Sequence, residues 1–147
     1  MIVWKNLGEI LVVAPSRVLE ESNTVEVTFC DGRAYRATLK KQDKNLQLAV
    51  FSVPTGSLKD ITQKAIQAAI LGNSHYMRKG MSAIALGNPF GYASGAGYGI
   101  ISSVDNKVSV ADGQYKVITT DITAAENGSS VLFNIDGEVI GLGDQRI

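Results

Sequence analysis

Aspartate–glycine pairs stand between short alternating apolar segments in this sequence, and this arrangement limits the fold more than any other feature. "TVEVTFCDGRAYRATLKK" surrounds Asp31-Gly32, and "VLFNIDGEVIGL" surrounds Asp136-Gly137. An Asp-Gly pair between alternating runs is typical of a tight turn joining two antiparallel strands. The inward face of the first hairpin is predicted to consist of Val25, Val27, Phe29, Tyr35, Ala37 and Leu39. The sequence therefore predicts a protein built from β-hairpins.

Further strand patterns fill most of the remaining sequence. A third hairpin is predicted in "GIISSVDNKVSV", with its turn at Asp105-Asn106. The one helical pattern is "LKDITQKAIQAAI" at 58–70, where Ile61, Ala65 and Ala69 share a face. It predicts either a helix or a short turn of helix followed by a strand. Additional strands are expected at 2–4, 9–13, 47–53, 81–87 and 115–121. About eleven short strands with turns between them predict an all-β barrel or sandwich, divided into two lobes by the irregular stretch 54–72.

Composition excludes several classes of function. Apolar residues make up 45% and charged residues 19% of the 147 residues, which is typical of a globular domain. Acidic and basic residues balance at 14 each without a basic stripe, so nucleic acid is not an expected partner. The apolar runs are far shorter than the ~20 residues of a membrane-spanning helix, and the N-terminus lacks the pattern of a signal peptide.

The counts of cysteine and histidine restrict the chemistry further. The chain has one of each, Cys30 and His75, so zinc-ligand spacing is absent and no metal is expected. Cys30 is interpreted as an ordinary residue at a strand end. The glycine-rich stretch 87–99 lacks the Lys-Ser/Thr pair of a phosphate-binding loop, and no cofactor is expected. Any serine or cysteine mechanism that needs an imidazole base would have to use His75.

Several segments together resemble the HtrA (DegP-like) serine proteases of the trypsin fold. The resemblance extends from about residue 8 to about residue 142 and implies an all-β, chymotrypsin-like double six-stranded β-barrel with its active site between the barrels. The segments that carry it, in order, are "DGRAYRATLKKQDKNLQLAVFSV", "AILGNSHYMRKGMSAIALGNPFGY", "YGIISSV", "ITTD" and "NIDGEVIGL".

The positions of the catalytic triad implied by this resemblance all carry other residues. Counting back from "DGR", the family's histidine falls on Arg17, and its aspartate falls on Gln47 in "NLQLAV". Counting back from "NIDGEVIG", the family's serine falls on Gly128. Arginine is always protonated and cannot accept a proton, and glutamine carries no charge to stabilise an imidazolium. The triad is therefore predicted to be degenerate, and His75 is expected in a surface turn away from the cleft.

The loop "AAENGSSV" leaves two interpretations open. Asn-Gly favours a tight turn, but a slide of one residue would put Ser129 at the nucleophile position, and Ser130 is the other candidate. Lys116 could then be the base of a Ser-Lys pair, which sequence alone cannot judge.

Residues near that loop are also candidates for binding. Glu126 replaces the first glycine of the family's "GNSGG", and its carboxylate would oppose anion binding in an oxyanion hole. The binding candidates around the cleft are Glu126, Asn127, Gly128 and Asp121. Asp121 could either fix the adjacent loop or line a pocket.

The resemblance implies one trypsin-like domain over residues 1–147. Barrel 1 is expected at about 1–55, a linker at about 56–70 and barrel 2 at about 71–147. The first barrel is expected to lack the family's N-terminal strand, which would leave an edge that could pair with another chain in an oligomer. The chain is interpreted as a fragment of a longer protein, which relatives suggest is extracytoplasmic and membrane-anchored or at the cell surface.

The leading functional hypothesis is a pseudoprotease, an inactive HtrA-like domain that binds, senses or scaffolds a polypeptide partner. The first alternative is an active serine endopeptidase with a nonstandard base that uses Ser129 or Ser130. The second alternative is a purely structural domain supporting an adjoining module.

Overall fold

The computed structural model describes residues 1–21, 24–89, 94–123, 125 and 128–143, excluding the Glu21 side chain. The chain divides into unit 1, Met1–Ala69, and unit 2, Ile70–Ile147. Each unit carries one five-stranded antiparallel sheet, so the all-β prediction is confirmed. In the described part of the chain, no helix is long and apolar enough to cross a membrane.

The sheet of unit 1 has the strand order β1-β2-β5-β4-β3. Strands β2 and β5 pair without interruption from Glu9 opposite Pro54 to Pro15 opposite Leu48. Ala69 donates a backbone hydrogen bond to Ile2 at the edge of β1. The strands are β1 (Ile2–Lys5), β2 (Glu9–Pro15), β3 (Val25–Thr28), β4 (Ala34–Asp43) and β5 (Leu48–Pro54).

The first predicted hairpin is formed by β3 and β4. Gly32 has a φ of 83°, a conformation that glycine adopts without steric cost, and it completes the turn after Asp31. Val27 pairs with Tyr35 across the ladder, and Phe29 is buried, as the alternation predicts. Leu39, at the far end of β4, is exposed instead of inward-facing.

The helical pattern at 58–70 forms only a short turn of helix, which is one of the two outcomes that the sequence allowed, and a different face of it is buried. Helix α1 is Val18–Glu21, and helix α2 spans only Asp60–Ala65 within the predicted 58–70. Ile61 is 57% exposed, whereas Thr62 is fully buried, so the predicted apolar face is wrong. Thr62 is buried because its hydroxyl donates to the Asp31 carboxylate and also forms a hydrogen bond with the Tyr35 hydroxyl. These bonds hold the Thr62 side of the helix against the β3–β4 hairpin.

The sheet of unit 2 has the strand order β10-β9-β6-β7-β8, so β10 and β8 are its edges. Residues Ile70 and Gly72 extend beside Val139 in β10, which donates to Ile70 and accepts from Gly72. The strands are β6 (Ser82–Asn88), β7 (Gly95–Val110), β8 (Gly113–Thr120), β9 (Ser129–Phe133) and β10 (Val139–Gly143).

The predicted hairpin turn at Asp105-Asn106 is wrong. β7 continues through these residues to Val110, and the chain reverses between Val110 and Gly113. Gly113 has a φ of 153°, so the pair Asp112-Gly113 supplies the turn glycine that Asp105-Asn106 lacks. Near Asp105 the pairing with β8 instead shifts register, as at a β-bulge. The hairpin at Asp136-Gly137 is confirmed, joining β9 and β10.

Candidate functional site

Within unit 1, the first two predicted triad positions lie at the same end of the β2–β5 ladder. Pro15 and Leu48 form its last pair, and the Ser16 amide donates to the Gln47 carbonyl at 2.8 Å. Arg17 follows directly and begins the turn that leads into α1. The two positions are therefore local neighbours, although thirty or so residues separate them in the sequence.

Neither side chain can act as a general base. The guanidinium of the half-buried Arg17 has five donors and no acceptor. Gln47 is exposed and has a φ of 55°, in the left-handed region that few non-glycine residues adopt. This end of unit 1 supplies a permanent positive charge and an amide, which is not a combination that removes a proton from a hydroxyl.

In unit 2, Gly128 occupies a position that has no room for a side chain. It is buried, and its amide donates to the Ala125 carbonyl at 2.8 Å. A Cβ atom added there would lie 2.7 Å from the Pro89 carbonyl oxygen and 2.9 Å from that of Asn88. These are backbone atoms, so they cannot rotate away, and a serine at Gly128 would require the loop to move. Glu126 and Asn127, the other candidates in this loop, lie outside the described residues.

The two candidate nucleophiles begin strand β9. Ser129 pairs with Asn88, and Ser130 lies between Gly87 of β6 and Gly143 of β10. The Ser130 hydroxyl fills the space that a side chain on Gly143 would need. Among the described residues, neither hydroxyl forms a hydrogen bond to a histidine, lysine or carboxylate that could activate it.

The two candidate bases of unit 2, His75 and Lys116, are exposed and form no hydrogen bond to either serine among the described residues. His75 lies in the exposed 3₁₀ turn Ser74–Tyr76, and its backbone amide is bonded to the Asn73 side chain. The Lys116 ammonium lies 2.9 Å from an Asp105 carboxylate oxygen, and its side chain is 58% exposed. A lysine base must be desolvated to lose its proton near neutral pH, and Lys116 is instead solvated and ion-paired.

Asp121 lies directly after the end of β8, next to β7. Its carboxylate accepts the Ile100 amide at 2.7 Å, and its own amide donates to the Ile100 carbonyl at 3.2 Å. The carboxylate packs where Gly99 has no side chain. Asp121 therefore fixes the end of β8 to β7, and it also borders a groove.

That groove is a concave feature of unit 2 with a volume of about 540 Å³. Residues of the two edge strands, β8 and β10, form its sides, and we call it the β8–β10 groove. Ala85 of β6 and Leu132 of β9 also line it. Its lining residues are Ser74, Ala85, Pro89, Lys116, Val117, Ile118, Thr119, Thr120, Asp121, Ile122, Thr123, Ser130, Leu132, Ile140, Gly141, Leu142 and Gly143.

Sequence reasoning found only three of these groove residues, Lys116, Asp121 and Ser130. The missed signal is the pair of small residues Ala85 and Gly141, which leave space where a packed sheet would carry larger side chains. Recognising it required the strand order, because only the order shows that β8 and β10 are both edges.

Metal and thiol chemistry have no support in the described part of the chain. No group of three or more His, Cys, Asp and Glu side chains there could hold a metal ion. Cys30 is exposed, and its thiol donates to the Ala65 carbonyl at the end of α2.

A family model described as "Trypsin-like peptidase domain" matches residues 2–142. A probable periplasmic serine endoprotease, DegP-like, of Chlamydia pneumoniae is 33% identical over 132 residues, which are 89% of this chain and 25% of that protein. The serine protease Do-like HtrA of Lactobacillus helveticus is 31% identical over 151 residues, covering 100% of this chain and 35% of that protein. The chain thus spans about a quarter to a third of the length of these relatives.

Solved structures agree with the sequence relatives. The HtrA-type protease AlgW with tripeptide matches with a TM-score of 0.70 and 28% identity, covering 95% of this chain and 44% of that one. AlgW with decapeptide gives 0.70 and 26% identity, covering 97% of this chain and 41% of that one. These matches agree with the expected trypsin-like fold.

Proposed function

Since the chain belongs to the trypsin-like peptidase domain family, with HtrA and DegP proteins among its relatives, we propose that it binds polypeptide without hydrolysing it. The observation that carries this proposal is the lack of a base for Ser129 and Ser130 among the described residues. In a serine protease the hydroxyl becomes nucleophilic only when a neighbouring group takes its proton. Here the position expected to hold that group is Arg17, which cannot accept one.

The nucleophile position gives independent support. The packing of Gly128 against the Pro89 and Asn88 carbonyls leaves no space for a catalytic hydroxyl at that residue. Ser129 and Ser130, one and two positions later, are half-buried and belong to the regular β9 ladder. A nucleophile must be free to approach a carbonyl carbon, and a serine whose backbone is paired within a sheet is poorly suited to that.

The binding half of the proposal rests on the family and on the groove. The related protease AlgW was solved with a tripeptide and with a decapeptide. In this chain the β8–β10 groove combines apolar walls with hydroxyl groups, a lining suited to uncharged peptide side chains.

The relatives also suggest where the protein works. DegP-like proteins of Chlamydia pneumoniae and Halomonas elongata are described as probable periplasmic endoproteases. We therefore expect this protein to be extracytoplasmic. Fractionation of the cells that produce it, with a cytoplasmic enzyme as marker, tests this: recovery with that marker would contradict the proposed location.

The main experiment measures hydrolysis and binding on the same sample. We expect no labelling by a fluorophosphonate probe, no cleavage of fluorescent denatured casein, and saturable binding of that casein by fluorescence anisotropy. An active HtrA protease is the positive control for labelling and cleavage. Labelling that disappears in Ser129→Ala or Ser130→Ala would establish the endopeptidase instead, and absence of casein binding would favour the purely structural role.

A second experiment tests the placement of the triad. The double variant Arg17→His and Gln47→Asp supplies a base and its carboxylate while keeping the native serines. We expect this variant to remain inactive, because it has no serine at position 128. Adding Gly128→Ser should destabilise the fold and not restore cleavage, because Gly128 has no room for a side chain. Cleavage by the double variant that is lost on Ser129→Ala would show that Ser129 occupies the nucleophile position.

A further inference from the structure

We infer that unit 2 carries a binding pocket for an arginine side chain of a polypeptide partner. The pocket lies between the segment 73–82, which leads into β6, and the β9–β10 turn at 134–138, and we call it the acidic pocket. This inference rests on the proposed polypeptide binding, and it adds a recognition site and the residue type that the site selects. It involves neither the β8–β10 groove nor any of the candidate nucleophiles.

The acidic pocket is large enough to hold a side chain and part of the chain that carries it. Its volume is about 420 Å³, which lies in the range of about 300–1,000 Å³ that is usual for ligand clefts. The acidic pocket and the β8–β10 groove share no lining residue. The pocket is therefore a separate concave surface of unit 2, and all of its lining residues are among those described.

The carboxylate of Glu138 is held in a fixed orientation at the pocket. The Asn134 side-chain oxygen accepts the backbone amides of Asp136 at 3.0 Å and of Glu138 at 2.9 Å. The Asn134 NH₂ group therefore faces the Glu138 side chain and donates to its Oε2 at 2.8 Å. A Cβ atom added to Gly72 would lie 2.9 Å from the Glu138 Cβ, so the side chain also packs against the Gly72 backbone. Glu138 Oε1 forms no hydrogen bond to another described residue, so it can accept a donor of a ligand.

The acidic pocket has two carboxylates and no basic residue in its lining. The carboxylates are those of Asp136 and Glu138. Within the described part of the chain, all ion pairs involve other carboxylates. Arg78 and Lys79 belong to the turn before β6, but neither lines the pocket, and neither is in those ion pairs. A cationic ligand would therefore meet complementary charge that the described residues leave unpaired.

The rest of the lining fits an organic cation with an apolar stem. Met77 is buried at the pocket, whereas Tyr76, Met81 and Ile135 line it with exposed apolar surface. Such walls suit methylene groups, and methionine side chains adapt to the shape of what they contact. A metal ion fits less well, because Ca²⁺ and Mg²⁺ take about six or more oxygen ligands. No group of three or more His, Cys, Asp and Glu among the described residues could hold one.

Arginine matches this lining better than lysine does. Its planar guanidinium has five donors, so different N–H groups can bind Glu138 Oε1 and the Asp136 carboxylate. The guanidinium plane can also stack on the ring of Tyr76, a residue that is 76% exposed. A lysine ammonium is a compact and strongly hydrated charge, and apolar walls would remove more of its hydration.

Exposed apolar residues beside the pocket favour a polypeptide over a free small molecule. Ser82 lines the pocket, pairs with Ile100 across the β6–β7 ladder and hydrogen-bonds the Tyr98 hydroxyl at 2.8 Å. Tyr98 is 71% exposed and Ile100 is 43% exposed. Residues that flank a bound arginine could cover these two side chains, whereas a free cation would leave them in water. The occupant that fits is therefore an arginine next to apolar residues in a polypeptide.

Fluorescence anisotropy with two matched peptides tests the selection of arginine. The first is a short labelled peptide with a single arginine between leucine and valine, and the second has citrulline in its place, which keeps the shape and loses the charge. We expect saturable binding of the arginine peptide and at least about tenfold weaker binding of the citrulline peptide. Equal affinities, or no binding of the arginine peptide, would overturn the inference. Displacement of the arginine peptide by an equal concentration of N-acetylarginine amide would show a site for free small cations and contradict the polypeptide assignment.

Variants of the pocket locate the bound arginine. Glu138→Gln removes the charge and keeps the shape of the side chain, and we expect it to weaken binding of the arginine peptide about tenfold or more. Glu26→Gln is the matched control, because it removes an equal charge from an exposed position of β3 in unit 1 and should leave the affinity unchanged. Tyr76→Ala changes an exposed residue and should weaken binding about threefold. Native affinity in both Glu138→Gln and Tyr76→Ala, with both folded by circular dichroism, would refute the pocket.

Hydrogen exchange and casein binding separate this inference from the proposed function. Amides of 74–81 and 134–138 should exchange more slowly when the arginine peptide is bound, while those of the β3–β4 hairpin in unit 1 should not change. A peptide-independent dimer that already protects these two segments would assign the surface to a second copy of this chain and contradict our inference. If the native chain binds casein and not the arginine peptide, the pocket is wrong and the proposed function stands. Absence of casein binding by the native chain would refute the function itself.

Discussion

The two units use sheets of the same size in different ways. In unit 1 the inward side chains of β2 and β5 form a continuous buried core, closed by Leu58 and Ile66 around α2. In unit 2 the buried cluster comprises Met77, Ala83, Ile101 and Ile140, and several neighbours are only partly buried because they line the β8–β10 groove. Five strands thus enclose a well-buried core in unit 1, whereas five strands in unit 2 leave part of their apolar surface facing a groove.

This difference suggests that the two units contribute differently to stability and to binding. A packed core resists substitution and holds its strands rigidly, whereas a sheet that borders a groove retains apolar surface that is only partly buried. We therefore expect stability to depend most on unit 1 and binding to depend most on unit 2.

Phe51→Ala in unit 1 should lower the free energy of unfolding by about 3–5 kcal/mol, because Phe51 is 1% exposed and its removal leaves a cavity. Leu132→Ala in unit 2 should cost no more than about 2 kcal/mol, because that side chain already borders open space. Urea titration followed by fluorescence of Trp4, the only tryptophan, and by circular dichroism measures both. Equal losses in the two variants would contradict the contrast between the units.

Gly128→Ala should destabilise the chain by about 1–3 kcal/mol, because a methyl group there meets the Pro89 and Asn88 carbonyls. This loop is a tightly packed part of the otherwise open unit 2. Gly141→Ala is the matched control, since a Cβ atom on Gly141 has no neighbour within 4 Å. Thermal melts followed by circular dichroism compare the two, and a harmless Gly128→Ala would mean that the loop adapts and could accept a serine.

Much of the fold could be predicted from sequence because its turns are local. The hairpins at Asp31-Gly32 and Asp136-Gly137 follow from residues that are adjacent in the chain. The turn at Asp105-Asn106 was predicted wrongly because a second turn pair, Asp112-Gly113, follows nearby, and a bulge in a long strand resembles a turn in sequence.

The helix face and the site depended on partners far away in the sequence. Thr62 is buried because Asp31 and Tyr35 hydrogen-bond its hydroxyl, and periodicity alone favoured Ile61 instead. Gly128 has no room for a side chain because the Pro89 carbonyl lies against it. The groove depended on which strands are edges, and no residue pattern within β8 or β10 reveals that.

The hydrogen bond between Thr62 of α2 and Asp31 should make the stability of unit 1 depend on pH. The hydrogen bond from Thr62 is the largest cause that lowers the pKa of Asp31 below its usual value, and the Arg33 amide and guanidinium also lower it. A carboxyl group with a lowered folded-state pKa stabilises the fold above its unfolded-state pKa of about 3.9, and this contribution is lost as pH falls through the folded-state value.

Thr62→Val should therefore shift the urea midpoint downward at pH 7, and the difference from the native chain should narrow as pH falls below about 4. Thr55→Val is the control: it is also buried, but its hydroxyl donates to the Asn6 carbonyl, so its effect should not vary with pH in this range. Carbon-detected NMR titration of Asp31 gives the pKa directly. A difference between Thr62→Val and the native chain that stays constant down to pH 2 would refute this account.

The smallest expected effect concerns Gln47, whose φ of 55° is costly for a residue with a side chain. Gln47→Gly should raise the free energy of unfolding by about 0.5 kcal/mol, since the relief of strain exceeds the entropy that glycine adds to the unfolded chain. Gln42→Gly, on an exposed position of β4 without a positive φ, should instead lower it by about 0.5–1 kcal/mol. Opposite signs in urea titrations would show that the packed unit stores backbone strain at Gln47. A loss of stability in both variants would show that Gln47 contributes contacts worth more than its strained backbone.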